Sequence, residues 1–145
     1  MTDQKELQEK LIRYQIINSR IKALSDRREF LLAKLLEIET TLNAIEEMEK
    51  SKGDEIFLPL GSGVHVPGTL KKTGSIIVEL GADIAVKRTA ENAKEILKKR
   101  KEILENGLRS IENEMMNLGD ELSKLEPYIK AALERIKSST EITAG

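Results

Sequence analysis

The sequence predicts a mostly α fold with a small β head: a long antiparallel two-helix coiled coil joined by two β-hairpins. Three observations carry this. Two stretches of 45 to 50 residues have apolar side chains in a seven-residue repeat. The segment between them concentrates glycine and alternates apolar with other residues. Aromatic residues make up only 3% of the chain, little bulk for a compact core of 145 residues.

The first stretch, residues 4–50, lacks Gly and Pro. With Leu7 as the first seam position, the seam runs through Tyr14, Ile17, Ile21, Leu24, Leu31, Leu35, Ile38 and Leu42 to Ile45. Ten of its twelve positions are apolar, and Lys10 and Arg28 are the exceptions. A strict heptad underwinds a helix so that one seam keeps facing a partner. The second stretch, residues 89–138, opens on Thr89 as its N-cap. Its seam is Ala90, Ala93, Leu97, Arg100 and Leu104, then Leu108, Ile111, Met115, Leu118, Leu122, Leu125, Ile129, Ala132 and Ile136. The step from Leu104 to Leu108 is a stutter, and Gly107 sits inside it. At 1.5 Å per residue these helices reach roughly 65–75 Å, too long for a compact domain of this size. Residues 139–145 are expected to be a disordered tail.

Residues 51–88 hold six of the nine glycines and two of the three prolines. Apolar residues alternate in four runs: Ile56/Leu58/Leu60, Val64/Val66, Ile76/Val78/Leu80 and Ile84/Val86. Period two broken by glycine indicates strands and tight turns. Gly61 and Gly63 turn the first hairpin and Gly81 the second. Two isolated hairpins are marginal in water and expose unpaired edges. These ten strand residues are therefore expected to assemble with partner subunits, rather than to form a mini-core within one chain.

Composition excludes several functions. Charged residues reach 34% with a net charge of −1, so nothing draws the whole chain to nucleic acid or an acidic membrane. No apolar run of about 18 residues spans a bilayer. No secretory signal is read at the N-terminus, and a cytoplasmic protein is expected. Without cysteine and with one histidine, His65, no metal set and no nucleophile–base pair can be assembled. Gly63 and Gly68 have P-loop spacing, but Thr69-Leu70 follows where Lys-Ser/Thr is required. No enzyme activity, metal or cofactor is expected.

The run Leu58-Pro59-Leu60-Gly61-Ser62-Gly63-Val64-His65-Val66-Pro67-Gly68 resembles the "PLG-x-G-x-x-V" first hairpin of prefoldin alpha subunits. The run Ile76-Ile77-Val78-Glu79-Leu80-Gly81-Ala82-Asp83-Ile84-Ala85-Val86-Lys87 is similar to the second, with its "V-x-x-G-A" turn. The resemblance covers nearly the whole chain. It implies a hexamer of two alpha and four beta subunits on a double β-barrel platform, an ATP-independent chaperone. It further implies arm tips that grip unfolded clients and deliver them to a group II chaperonin.

Client binding is placed at the helix ends. Leu7, Tyr14, Ile17, Leu125, Ile129 and Ile136 supply the seam there, and Leu11, Ile12, Ile16, Tyr128 and Leu133 flank it. A two-helix seam buries a narrow stripe, and contiguous apolar surface left outside it marks interaction sites. Pro127 is expected to bend the second helix and splay its end, unless the helix stops and restarts there. Arg28 and Arg100 are expected to snorkel from the seam, with Arg28 opposite Gly107. The alternatives are a passive coiled-coil scaffold, whose seam would close up to the tips, and an RNA-binding arm. Lys and Arg alternating with Glu and Asp disfavour the last.

Overall fold

The computed structural model describes residues 2–51, 53, 55–71 and 74–144. The order is α1 (Thr2–Lys50), β1 (Glu55–Gly61), β2 (Val64–Thr69), β3 (Ser75–Gly81), β4 (Ile84–Thr89) and α2 (Ala90–Ala144). It contains the two long helices and two hairpins read from the sequence. Positions 52, 54, 72 and 73 of the expected head, and 145 of the expected tail, lie outside the described residues.

Both helix ends in the head have local causes. The Ser51 amide donates to the Glu47 carbonyl at 2.9 Å, extending the last turn of α1. Thr89 caps α2 as expected, its Oγ1 accepting from the Asn92 amide at 3.1 Å. α2 continues through Ala144, into the span expected as a tail. Nothing after Pro127 in that stretch stops a helix, and the Thr140 hydroxyl bonds the Ile136 carbonyl one turn back.

The chain divides into two compact units, Lys34–Leu104 and Met1–Ala33 with Glu105–Gly145. In the second of these, antiparallel pairing is fixed by Arg13–Glu121, Arg20–Glu114 and Arg28–Glu112 at 2.7, 2.8 and 3.5 Å. Each has its arginine on α1 and its glutamate on α2. In Lys34–Leu104 the polarity reverses, with Lys94 and Lys101 on α2 meeting Glu49 and Glu39 on α1.

Arg28 does not face Gly107. A β-carbon on Gly107 would stand 3.4 Å from Leu31 Cδ1, so the small residue makes room for a buried leucine. Arg28 reaches Glu112 instead.

The hairpins repeat one another at an offset of twenty residues. Glu55 pairs with Thr69 and Ser75 with Thr89, and both registers shift just before the turn, at Leu60 and Leu80. Each turn has two central residues with positive φ: Ser62 (50°) and Gly63 (80°), then Ala82 (51°) and Asp83 (61°). That sign matches the right-handed strand twist. Gly61 and Gly81, at 113° and 100°, occupy the shifted positions that a side chain would strain.

The repeat is unequally buried. Val78 is 9% exposed and packs with Ile45 and Ala93, with Ile76, Val86, Ala90, Ile96 and Leu97 around them. Its counterpart Leu58 is 48% exposed, and Leu60, Val64 and Val66 are exposed with it. Of the ten strand residues expected to serve assembly, Val78 and the half-buried Ile76 and Val86 pack locally in this chain. They form a local core with their own helices, because one hairpin lies against the helix bases. Leu80 and Ile84 remain exposed. Arg100 leaves its seam position to donate from Nη2 to the Glu79 carbonyl at 2.7 Å, tying α2 to β3.

Two substitutions test these features. Ala82→Gly relieves a left-handed alanine and should stabilise the chain by about 1 kcal/mol in chemical denaturation. Gly107→Ala should add about 0.5–1 kcal/mol by raising helix propensity, its methyl resting on Leu31. Gly107→Leu should collide with Leu31 and change the cross-links formed between α1 and α2.

Candidate functional site

The expected site lies wholly within the unit built from Met1–Ala33 and Glu105–Gly145. Leu7, Ile17, Leu125, Ile129 and Ala132 form its buried core, and Leu11, Tyr14, Ile21, Leu118, Leu122 and Tyr128 pack half-buried against it. Of the eleven residues expected to bind clients, Leu7, Ile17, Leu125 and Ile129 are therefore sealed in the seam. They are correctly placed on the helices, but their surface is spent on each other. Leu11, Tyr14 and Tyr128 are shared between seam and solvent. Ile12, Ile16, Leu133 and Ile136 face outward, at 58%, 53%, 49% and 43% exposure.

Pro127 does not open this end. α2 passes through it unbroken, and the residues on either side, Leu125 and Ile129, stay buried. Proline removes one backbone donor, and side chains that tie α2 to α1 flank it here.

Those ties form a reciprocal pair. The Tyr14 hydroxyl of α1 donates to Glu126 Oε1 of α2 at 3.4 Å, and the Tyr128 hydroxyl of α2 donates to Glu6 Oε2 of α1 at 3.2 Å. Lys10 Nζ stands 4.9 Å from the Tyr128 ring centre, which explains why a lysine is tolerated at a seam position. Burial and the nearby Glu6 raise the Tyr128 pKa. Arg13 grips Glu121 with two bonds of 2.7 and 2.9 Å, and Arg20 grips Glu114 with two of 2.8 and 3.2 Å. These paired bonds hold both glutamates below their ordinary pKa.

Beside the tyrosine pair lies a groove of about 320 Å³ lined by Asp3, Gln4, Leu7, Tyr128, Ala132, Arg135, Ile136, Ser139 and Thr140. Its lining is mixed, with Leu7, Ala132 and Ile136 beside Asp3, Gln4 and Arg135. Among the described residues, no group of three or more His, Asp or Glu side chains could hold a metal. The sequence reading missed Phe30 and Met116, exposed at 51% and 65% in the same unit. Their signal was present: both fall outside the heptad seam and are apolar. Arg27 lies over Phe30, 5.4 Å from the ring centre.

The profile of the family described as Prefoldin subunit matches residues 17–135. The chain belongs to the prefoldin family. Among curated prefoldin relatives, the alpha subunit of Methanobrevibacter smithii is 32% identical over 72 residues, 50% of this chain and 49% of that one. The alpha subunit of Pyrococcus horikoshii is 29% identical over 98 residues, 66% of each chain. The alignments thus span between about half and two thirds of these relatives. Two solved prefoldin structures share the fold. Filamentous prefoldin from Methanocaldococcus jannaschii superposes with a TM-score of 0.70 at 17% identity, covering 80% of this chain and 97% of that one. The beta subunit from Thermococcus strain KS-1 gives 0.60 at 20% identity, covering 88% and 92%.

The lowered pKa values of Glu114 and Glu121 set a pH dependence. A carboxyl that binds its proton less readily when paired stabilises the paired state above its ordinary pKa. That contribution is lost as pH falls through the lowered folded-state values. Helix melting followed by circular dichroism should therefore shift downward from neutral pH into the acid range. Glu114→Gln with Glu121→Gln should reduce the neutral-pH melting temperature and flatten the dependence.

Proposed function

We propose that this prefoldin chain is an alpha-type subunit that holds non-native polypeptides without nucleotide, on apolar surface near the helix termini. The observation that carries the reading is the set of large aliphatic side chains, Ile12, Ile16, Leu133 and Ile136, left in solvent beside a seam already filled. Each such side chain, if fully covered by a client, contributes about 1.5–3 kcal/mol. Several weak contacts shared over several arms give avidity while each stays reversible. Release then needs no hydrolysis.

Assembly belongs to the same proposal. Leu58, Leu60, Val64 and Val66 of the first hairpin, with Leu80, Ile84 and the half-buried Ile56, offer apolar strand surface for beta-type subunits. With it goes the arrangement that the family resemblance implies: a hexamer of two alpha and four beta subunits around a double β-barrel, working in the cytoplasm and passing clients to a group II chaperonin. Among the described residues, no helix is long and apolar enough to cross a membrane.

A passive scaffold keeps one supporting observation: the seam residues near the helix termini, Leu7, Leu125, Ile129 and Ala132, are buried, as pairing close to the tips requires. The two readings part at the outer residues. In a complex with beta-type subunits, Ile12, Ile16, Leu133 and Ile136 replaced together by serine should reduce suppression of client aggregation several-fold, measured by light scattering without ATP. Hexamer formation and helicity should not change. Equal protection by this variant would favour the scaffold.

A further inference from the structure

The outer face of α1 departs from the pattern its seam leads one to expect. In a helix pair, the positions farthest round from the seam meet solvent and are ordinarily charged or polar. On α1, between residues 12 and 30, these positions are Ile12, Ile16, Ser19, Ala23, Asp26 and Phe30, in steps of four and three. Ile12, Ile16 and Phe30 are 58%, 53% and 51% exposed, and Ser19, Ala23 and Asp26 are exposed between them. The equivalent positions on α2 in the same unit are Asn113, Asn117, Asp120, Lys124 and Pro127, with no large aliphatic or aromatic side chain. The apolar stripe belongs to α1 alone.

Spacing and charge select what can cover this stripe. Steps of four and three advance about 5 Å per outward residue, and a partner helix advances by the same amount. A strand turns residues to one face only every 7 Å or so, roughly, and falls out of step within a few contacts. Ser19 and Ala23 leave the middle of the stripe low, where a helix axis can approach. Arg13, Arg20 and Arg27 line one edge, and Gln15, Lys22 and Glu29 the other. Two α1 helices packed antiparallel on this stripe would bring their arginine edges together. Packed parallel, they would bring Arg27 toward Lys22. Like charges set against one another disfavour both arrangements, so a second copy of the chain is a poor occupant. Glu121 and Glu114 already clasp Arg13 and Arg20, whereas no carboxylate among the described residues pairs with Arg27. Its guanidinium lies 5.4 Å from the Phe30 ring centre, leaving donors for a partner's carboxylate at that end of the stripe.

We propose that the outer face of α1 from Ile12 to Phe30 docks an amphipathic helical segment of a non-native polypeptide. That segment is apolar in steps of three and four and carries a carboxylate on the edge that meets Arg27. The inference rests on the client-holding reading and narrows it. The holding surface continues from Ile12 and Ile16 along α1 to Phe30, and it takes helices in preference to strands. At 1.5 Å per residue it is roughly 27 Å long, room for about five turns of a partner helix.

The test uses the full-length chain in complex with beta-type subunits and two fluorescent peptides of one length and composition, titrated by anisotropy. One peptide places leucine in steps of three and four with glutamate on both edges, and the other alternates leucine with polar residues. The complex should bind the helical peptide at least ten-fold more tightly. Ala23→Glu puts a charge in the middle of the stripe and should weaken that binding at least ten-fold. Asn117→Glu, on the outer face of α2, should leave it at the parent value. Arg27→Glu should shift the preference toward a helical peptide with lysine on its edges. Equal binding of the two peptides overturns the proposal, as does parent-like binding by a folded Ala23→Glu complex. If Ala23→Glu does not fold, Arg27→Glu decides, and an unchanged preference for glutamate edges overturns it. Light scattering keeps the two readings apart: a parent complex that protects clients yet binds both peptides equally loses this inference and retains client holding.

Discussion

Two helices side by side have one seam to share, and that limit governs this molecule. A globular core accepts apolar residues from every direction. A helix pair accepts them only along a stripe that recurs twice per heptad. Leu7, Ile17, Leu24 and Leu31 on α1, and Leu108, Ile111, Leu125 and Ile129 on α2, fill that stripe and are buried. Any aliphatic side chain elsewhere on the helices has nowhere to go. The outward Ile12, Ile16, Leu133 and Ile136 follow from this geometry as directly as the buried residues do.

The same shortage of burying surface shapes the head. The two hairpins share register, turn geometry and the shift before the turn, yet only the second has helix bases beneath it. Ile45 and Ala93 bury Val78, while the corresponding Leu58 meets solvent. One chain therefore contains a satisfied copy and an unsatisfied copy of one motif. The satisfied copy shows what the motif needs, which is an apolar layer against its even-numbered face.

Period alone made the architecture legible. The seven-residue repeat located α1 and α2, the two-residue alternation located all four strands, and Thr89 was recognisable as a cap. Three things were not legible, each for a physical reason. Burial of Val78 depends on which hairpin lies over the helices, and the strand pattern is the same for both. The partners of Arg28 and Arg100 depend on axial alignment of the helices, to which a heptad pattern is indifferent within a turn. The persistence of α2 through Pro127 depends on contacts such as Tyr128 to Glu6, which join residues more than a hundred positions apart. For the expected site, the sequence named eleven residues at the helix ends but could not divide seam from surface among them.

The reversal of charge along the helix pair has a consequence for how the chain finds its alignment. Hydrophobic seams tolerate slippage by whole heptads, since leucine meets leucine after each step. The ionic pairs do not. A slide large enough to bring Arg20 or Arg28 beside the lysine-bearing start of α2 would set cation against cation and strand the glutamates of both strands of the pair. Individually such exposed pairs contribute little. Within each unit, the pairs together work as a ratchet tooth that resists sliding of one helix along the other.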